Sequence, residues 1–162
     1  MFLFLFFSFL FFINFTIESQ YNGLGYLVTE YCPYGTLQRL LDSGTISPCG
    51  TCSPPEESTC KSIIAQIAKA VSFLHSIGII HRDIKPENIF VMQLNPIVIR
   101  LADFDRSTII KPCDKMGRSQ IMSEIEGSPY YMAPEVLVSS KEGYTANRYF
   151  SVFFFHSFSF FF

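Results

Sequence analysis

The stretch that decides how this chain is interpreted is residues 81–88, His81-Arg82-Asp83-Ile84-Lys85-Pro86-Glu87-Asn88. It places an acid, Asp83, shortly before a cation, Lys85, and an amide, Asn88. Together these groups can accept a proton, face a negatively charged group and offer an oxygen ligand to a hard metal ion. A second acidic motif, Asp103-Phe104-Asp105, follows further along the chain and argues against a chance polar turn.

Residues 81–88 resemble the catalytic loop of eukaryotic protein kinases, with the positions that mark the family filled. The resemblance implies that Asp83 accepts the proton of the substrate hydroxyl and that Asn88 binds a magnesium ion. It also implies that Lys85 faces the transferred phosphate, as in serine/threonine kinases. The expected cofactors are therefore ATP and Mg²⁺, and the expected substrate is a protein with Ser or Thr hydroxyls.

The motif Asp103-Phe104-Asp105 resembles the Asp-Phe-Gly metal motif of the same family. The resemblance implies that Asp103 holds the magnesium ion that bridges the phosphates of ATP. Asp105 departs from the family pattern, because Gly tolerates unusual backbone angles there while Asp adds a negative charge near the metal. The substitution puts the strength of metal binding and the switching of this segment in question.

A third motif, Gly127-Ser128-Pro129-Tyr130-Tyr131-Met132-Ala133-Pro134-Glu135, looks like the end of a serine/threonine kinase activation segment. Ser128 stands where Thr is common, and its hydroxyl is expected to contact Asp83 and Lys85.

Arg82 matters for regulation in this family, where an Arg before the catalytic Asp pairs with a phosphate on the activation segment. We hypothesise that Glu124, beside Ser123, takes the place of that phosphate; the alternative is a solvated carboxylate. Unchanged activity of Glu124→Ala in the full-length protein would argue against the pairing.

Residues 26–31 are rich in β-branched and aromatic side chains, which predicts a buried strand. They resemble the strand that enters the kinase hinge. That match implies that Thr29 is the gatekeeper and that the backbone of Glu30 and Cys32 forms hydrogen bonds with adenine.

The rest of the middle of the chain predicts two helices, a hairpin and a loop. Thr36 caps a short helix to about Leu41, and Ser53-Pro54-Pro55-Glu56 has the pattern of a second helix start. Apolar residues at helical spacing continue that helix to about Ser76, and Gly78 ends it. The stripe consists of Ile63, Ile64, Ile67, Ala68, Val71 and Leu74. Strands follow at residues 89–92 and 97–101, and then a long polar stretch, residues 105–128, of the kind that is usually functional.

Length and composition fit one soluble domain between two unusual ends. The chain has 162 residues, a formal charge of −2 and a pI near 5.9, which gives no indication of nucleic acid or of an anionic membrane as a partner. The odd count of five Cys favours reduced thiols in a cytoplasmic protein. Cys49-Gly50-Thr51-Cys52 is open to two interpretations, a plain loop and a metal-binding or oxidisable pair.

All but three of the 19 Phe residues lie in residues 1–15 and 150–162. We therefore divide the chain into a Phe-rich segment at 1–20, a partial protein kinase domain at 21–148 and a Phe-rich tail at 149–162. The ends are open to three interpretations: a signal or membrane segment, translated non-coding sequence, or something else. Membrane association is expected only through these ends. Spliced transcripts that retain both Phe tracts would rule out the non-coding origin.

The resemblance covers about residues 25–148, and residues 1–25 contain no Lys or Arg that matches the family's phosphate-binding strand Lys. The predicted fold class is α+β, a partial bilobal protein-kinase fold that comprises mainly the front of the helical C-lobe and the hinge strand. The predicted function is an ATP-dependent serine/threonine kinase whose chain is inactive as given. A non-catalytic kinase-like binding module and a membrane-anchored kinase fragment are the alternatives.

Overall fold

A computed structural model describes residues 17–21, 24–48, 54–109, 121–122, 127–132, 136 and 144–145. The chain separates into two compact units. The first unit is formed by residues 1–70 with 86–102, and the second by residues 71–85 with 103–162. Each unit combines helical segments with small antiparallel sheets, which confirms the predicted α+β class.

The first unit begins with a hairpin of β1 (Ile17–Tyr21) and β2 (Leu24–Val28), paired antiparallel. Asn22-Gly23 links the two strands in the sequence, and this dipeptide is a strong hairpin signal that sequence reasoning missed. The prediction of one strand over residues 26–31 was wrong at both ends. Pairing with β1 sets the limits of β2, so residues 29–31 follow the strand instead of extending it.

The short helix α1 (Leu37–Asp42) begins where the sequence predicted. The hydroxyl of Thr36 accepts a hydrogen bond from the backbone N–H of Arg39 at 3.3 Å and so caps the helix. Leu37 and Leu40 are buried.

The long helix α2 (Glu57–Ser76) contributes residues to both units. Its predicted start at Ser53-Pro54-Pro55-Glu56 was wrong, because Pro55 disfavours a helical backbone at Pro54. The first helical hydrogen bond runs from the N–H of Cys60 to the carbonyl of Glu56 at 3.0 Å. The predicted apolar stripe is confirmed, since four of its six members are buried, namely Ile63, Ile67, Val71 and Leu74.

A second hairpin, β4 (Ile89–Leu94) with β5 (Ile97–Leu101), completes the first unit and confirms the predicted strand pair. Alternate residues of both strands are buried, as expected for a sheet with one face on a core. The side chain of Gln66 on α2 connects the helix to β5. Its amide nitrogen donates to the carbonyl of Ile97 at 2.9 Å, and its amide oxygen accepts from the N–H of Ile99 at 3.1 Å.

In the second unit, β3 (Ile79–Ile80) pairs with β6 (Thr108–Ile109), and β7 (Ile121–Met122) pairs with β8 (Tyr144–Thr145). Sequence reasoning missed these strands because two residues are too few to show a period. Residues 105–128 were predicted to be a loop, which is wrong at β6 and β7. Gly78, at φ 75°, ends α2 as predicted.

Within the described residues, no helix is long and apolar enough to cross a bilayer.

We predict that Gln66→Ala lowers the free energy of unfolding of the chain by about 1–3 kcal/mol. The substitution leaves a backbone carbonyl and a backbone N–H of β5 without the partners that the amide supplies. Urea denaturation measures the loss. Lys69→Ala, at an exposed position of the same helix, is the matched control and is expected to change stability by less than about 0.5 kcal/mol. Equal effects of the two variants would contradict the bridging role of Gln66.

Candidate active site

The backbone around Asp83 is held by residues on both sides of it. The chain leaves β3 at Ile80 and passes through His81, which is buried. It then turns at Arg82, whose φ is 68°. The ring of His81 packs against Phe104 with centroids 4.8 Å apart, and its Nδ1 accepts from the N–H of Asp83 at 3.4 Å. These contacts fix the direction in which the Asp83 side chain leaves the loop.

The carboxylate of Asp83 is 3% exposed, and both of its oxygens have partners. Oδ1 accepts from the N–H and from the hydroxyl of Ser128, both at 2.9 Å. Oδ2 lies 3.0 Å from Nζ of Lys85, which also donates to the Ser128 hydroxyl at 2.8 Å. The sequence expectation that Ser128 contacts Asp83 and Lys85 is confirmed.

Asp83 is ionised more readily than an ordinary Asp. Burial alone raises its pKa, but the hydrogen bonds from Lys85 and Ser128, together with the charges of Lys85 and Arg106, outweigh burial. The net result is a pKa below the usual value for Asp. The carboxylate is therefore charged at neutral pH and ready to accept a hydrogen bond.

Gly127 explains how Ser128 approaches the loop so closely. Its φ is 120°, and a Cβ at this position would lie 2.6 Å from the carbonyl oxygen of Arg82. Any other residue would push the two segments apart. The glycine at the start of the third motif is thus required by the contact between Ser128 and Asp83.

Arg106 is the site residue that sequence reasoning missed. Its Nε lies 3.9 Å from Oδ2 of Asp83, and its Nη1 donates to the carbonyl of Gly127 at 3.4 Å. Its own carbonyl accepts a hydrogen bond from Nε of Arg82. Nothing in the sequence distinguished this Arg from a surface charge, since its partners come from distant parts of the chain.

Asp103 lies in the second unit, is exposed, and has φ 63°. Asp tolerates this left-handed conformation better than most residues. Its Oδ1 accepts from the N–H of Asp105 at 3.5 Å. Among the described non-glycine residues only Arg82 and Asp103 have positive φ, so Asp105 adopts an ordinary conformation here.

Asn88 lies in the first unit, in the 3₁₀ turn Pro86–Asn88, and is 6% exposed. Its backbone carbonyl accepts from the N–H of Ala102 at 2.9 Å, which joins the start of β4 to the residue after β5. Its amide oxygen and the Asp103 carboxylate are both hard oxygen donors of the type that Mg²⁺ prefers. Each side chain, taken by itself, thus offers the kind of oxygen that the predicted metal prefers.

The predicted adenine-binding residues follow β2 in the first unit. The carboxylate of Glu30 accepts from Nε of Arg100 at 3.0 Å, and both side chains are largely buried. Burial raises the pKa of the Cys32 thiol, the charge of Glu30 raises it further, and Arg100 opposes both. Thr29, the predicted gatekeeper, is exposed. Arg100 thus anchors the side chain of Glu30.

Several predicted features lie outside the described residues, namely Ser123, Glu124, Cys49 and Cys52. Within the described ranges, no three His, Cys, Asp or Glu side chains form a cluster able to hold a metal ion.

We predict that Ser128→Ala lowers stability by about 1–2 kcal/mol at neutral pH, because it removes a hydrogen bond to a charged carboxylate. The folded pKa of Asp83 is below the unfolded one. The stability that ionised Asp83 contributes is therefore present above about pH 4 and is lost as pH falls through the folded pKa. The difference between wild type and variant should shrink in acid, as measured by urea denaturation across pH. Ser128→Thr, which keeps the hydroxyl, is the control, and a difference that is constant with pH would contradict the coupling.

Residues 12–152 of the chain match the protein kinase domain family. CDPK-related kinase 3 of Arabidopsis thaliana is 39% identical over 114 residues, which cover 69% of this chain and 17% of that protein. The probable serine/threonine-protein kinase fhkC of Dictyostelium discoideum is 39% identical over 90 residues, which cover 55% of this chain and 14% of that protein. The human serine/threonine-protein kinase ULK3 is 34% identical over 112 residues, which cover 69% of this chain and 21% of that protein.

The aligned segment thus spans about a fifth or less of the length of each of these relatives. The family generally uses ATP and Mg²⁺. Since the family match covers most of the sequence, the chain belongs to the protein kinase domain family.

Proposed function

We propose that this chain carries the catalytic loop of an ATP-dependent protein kinase that transfers a phosphoryl group to Ser and Thr hydroxyls of protein substrates. The observation that supports this most directly is the arrangement of Asp83, Lys85 and Ser128, in which one buried carboxylate meets a cation and a hydroxyl within 3.0 Å. An ionised carboxylate can orient and accept a proton from an attacking hydroxyl, and a neighbouring cation can face the negative charge of the transferred phosphoryl group.

In this proposal Asp83 orients the acceptor hydroxyl and accepts its proton. Its lowered pKa keeps it in the accepting form at neutral pH. Lys85 faces the phosphoryl group as negative charge builds up on it. The Ser128 hydroxyl accepts from Lys85 and donates to Asp83, and so holds these two side chains in fixed positions relative to each other.

Asn88 and Asp103 are the proposed magnesium ligands, and the bound metal would neutralise charge on the phosphates of ATP. The backbone of Glu30 and Cys32 is proposed to hold adenine. The ion pair between Glu30 and Arg100 supports this role, because it fixes the side chain of one of the two residues whose backbone would meet adenine.

A cytoplasmic location is proposed because the reaction consumes ATP, with membrane association through the Phe-rich ends as the alternative. The proposed domain limits remain 1–20, 21–148 and 149–162. No nucleic-acid partner is proposed, and the oligomeric state is left open.

We predict that Asp83→Asn in the full-length protein lowers kcat by about 100- to 10,000-fold, since it removes the proton acceptor. KM for ATP should change little, because Asp83 is not a proposed nucleotide ligand. Phosphate transfer from radiolabelled ATP to a Ser/Thr peptide measures both constants. Asp42→Asn, which makes the same chemical change at an exposed position of α1, is expected to be fully active. Activity of Asp83→Asn above a tenth of wild type would rule out the proposed role.

We also propose that these 162 residues alone do not turn over, because residues 1–25 offer no Lys or Arg for the α- and β-phosphates. The expected result is weak ATP binding by calorimetry and no transfer to casein. Robust transfer by the chain alone would contradict this proposal and leave the role of Asp83 untouched.

The second candidate function is a non-catalytic kinase-like binding module, and Asp105 in place of Gly is the observation that favours it. The two candidates differ in what Asp105→Gly does to the full-length protein. A binding module is expected to show no turnover with either Asp or Gly at position 105. A kinase is expected to show turnover that depends on Asp83.

A further inference from the structure

We infer that Arg106, in the segment after Asp103, is a positioning residue for Asp83. Its guanidinium helps to hold Oδ2 of the Asp83 carboxylate, the same oxygen that Lys85 contacts. The inference deepens the proposed function and rests on it for the activity readout. Neither the family resemblance nor the sequence pattern assigned this residue a role.

The geometry fixes Arg106 at both ends. Its backbone is held by the hydrogen bond from Nε of Arg82 to its carbonyl. The turn that carries it is closed by a bond from the N–H of Ser107 to the carbonyl of Phe104 at 2.9 Å. Its guanidinium is held by the carbonyl of Gly127 at 3.4 Å. A side chain held at these points presents Nε towards Asp83.

The two carboxylate oxygens of Asp83 have different partners, which explains why a second cation beside Oδ2 is useful. Oδ1 is held by the N–H and hydroxyl of Ser128. Oδ2 has Lys85 at 3.0 Å and Arg106 at 3.9 Å. In the proposed reaction Lys85 turns towards the phosphoryl group, which weakens its hold on Oδ2. Arg106 then remains beside that oxygen and keeps the carboxylate oriented and ionised.

Charge supports the same conclusion. The charged and titratable side chains around Asp83 are Lys85, Arg106, Arg82 and His81, of which Lys85 and Arg106 make ion pairs with its carboxylate. Both cations help to lower the pKa of Asp83 against the effect of burial. The side chain of Arg106 is 47% exposed, so it adds little to the apolar core and acts mainly through its charge.

The test compares Arg106→Gln and Arg106→Lys with Arg39→Gln, which makes the same charge change at an exposed position of α1. Carboxyl ¹³C resonances of labelled Asp in the full-length protein report the titration, and the signal that disappears in Asp83→Asn identifies Asp83. The expected result is an upward shift of the Asp83 pKa in Arg106→Gln, restored by Arg106→Lys and absent in Arg39→Gln. The shift should become smaller in high salt, because half-exposed charges are screened.

Kinetics supply the second readout. In Arg106→Gln the acid limb of the kcat/KM profile should move to higher pH, with about a two- to fivefold loss of activity on that limb and unchanged KM for ATP. An Asp83 titration that is unchanged in Arg106→Gln overturns the inference. A rise in activity also overturns it, since Arg106 would then obstruct Asp83. A shifted titration in a protein with no turnover supports the pairing and overturns the proposed function instead.

Discussion

A charged carboxylate that is almost removed from water is the constraint on which the second unit depends. Transferring such a group from water is costly unless it is paired and hydrogen-bonded. Asp83 meets this condition with four close contacts, two from Ser128, one from Lys85 and a longer one from Arg106. Two other segments of the chain, those that carry Arg106 and Ser128, must therefore converge on the loop that carries Asp83 and Lys85. The buried charge of Asp83 favours this arrangement, since each of these residues supplies a hydrogen-bond donor or a positive charge to the carboxylate.

Convergence on Asp83 requires unusual backbone at a few positions. Arg82 and Asp103 both take positive φ, which costs a non-glycine residue about 1 kcal/mol or more. Gly127 takes φ 120° beside the Arg82 carbonyl, where no side chain fits. These conformations lie in the stretches around the proposed catalytic groups, where local strain is offset by the hydrogen bonds that it makes possible.

What sequence reasoning predicted correctly came from motifs that resemble a known family or from a periodic pattern within one element. The contact of Ser128 with Asp83 and Lys85 followed from complete motifs, and α2 followed from an apolar stripe at helical spacing. The errors concern features set by partners far along the chain. The two-residue strands exist only because another strand pairs with them, and Arg106 matters only because Gly127 and Asp83 are near it. The prediction of where α2 begins was wrong for a different reason, because a capping pattern was given more weight than the backbone restriction before Pro55.

Asp105 illustrates why a departure from a family pattern must be judged against conformation. The sequence raised two concerns, namely lost backbone freedom and added charge. In this structure Asp105 does not use a left-handed conformation, so the first concern carries no cost here. A conformation that required positive φ at this position would cost Asp about 1 kcal/mol that Gly would not pay. The substitution thus favours the present conformation, in which the N–H of Asp105 bonds Asp103 and the next residue, Arg106, faces Asp83. The second concern, an added negative charge near the metal, stays a prediction.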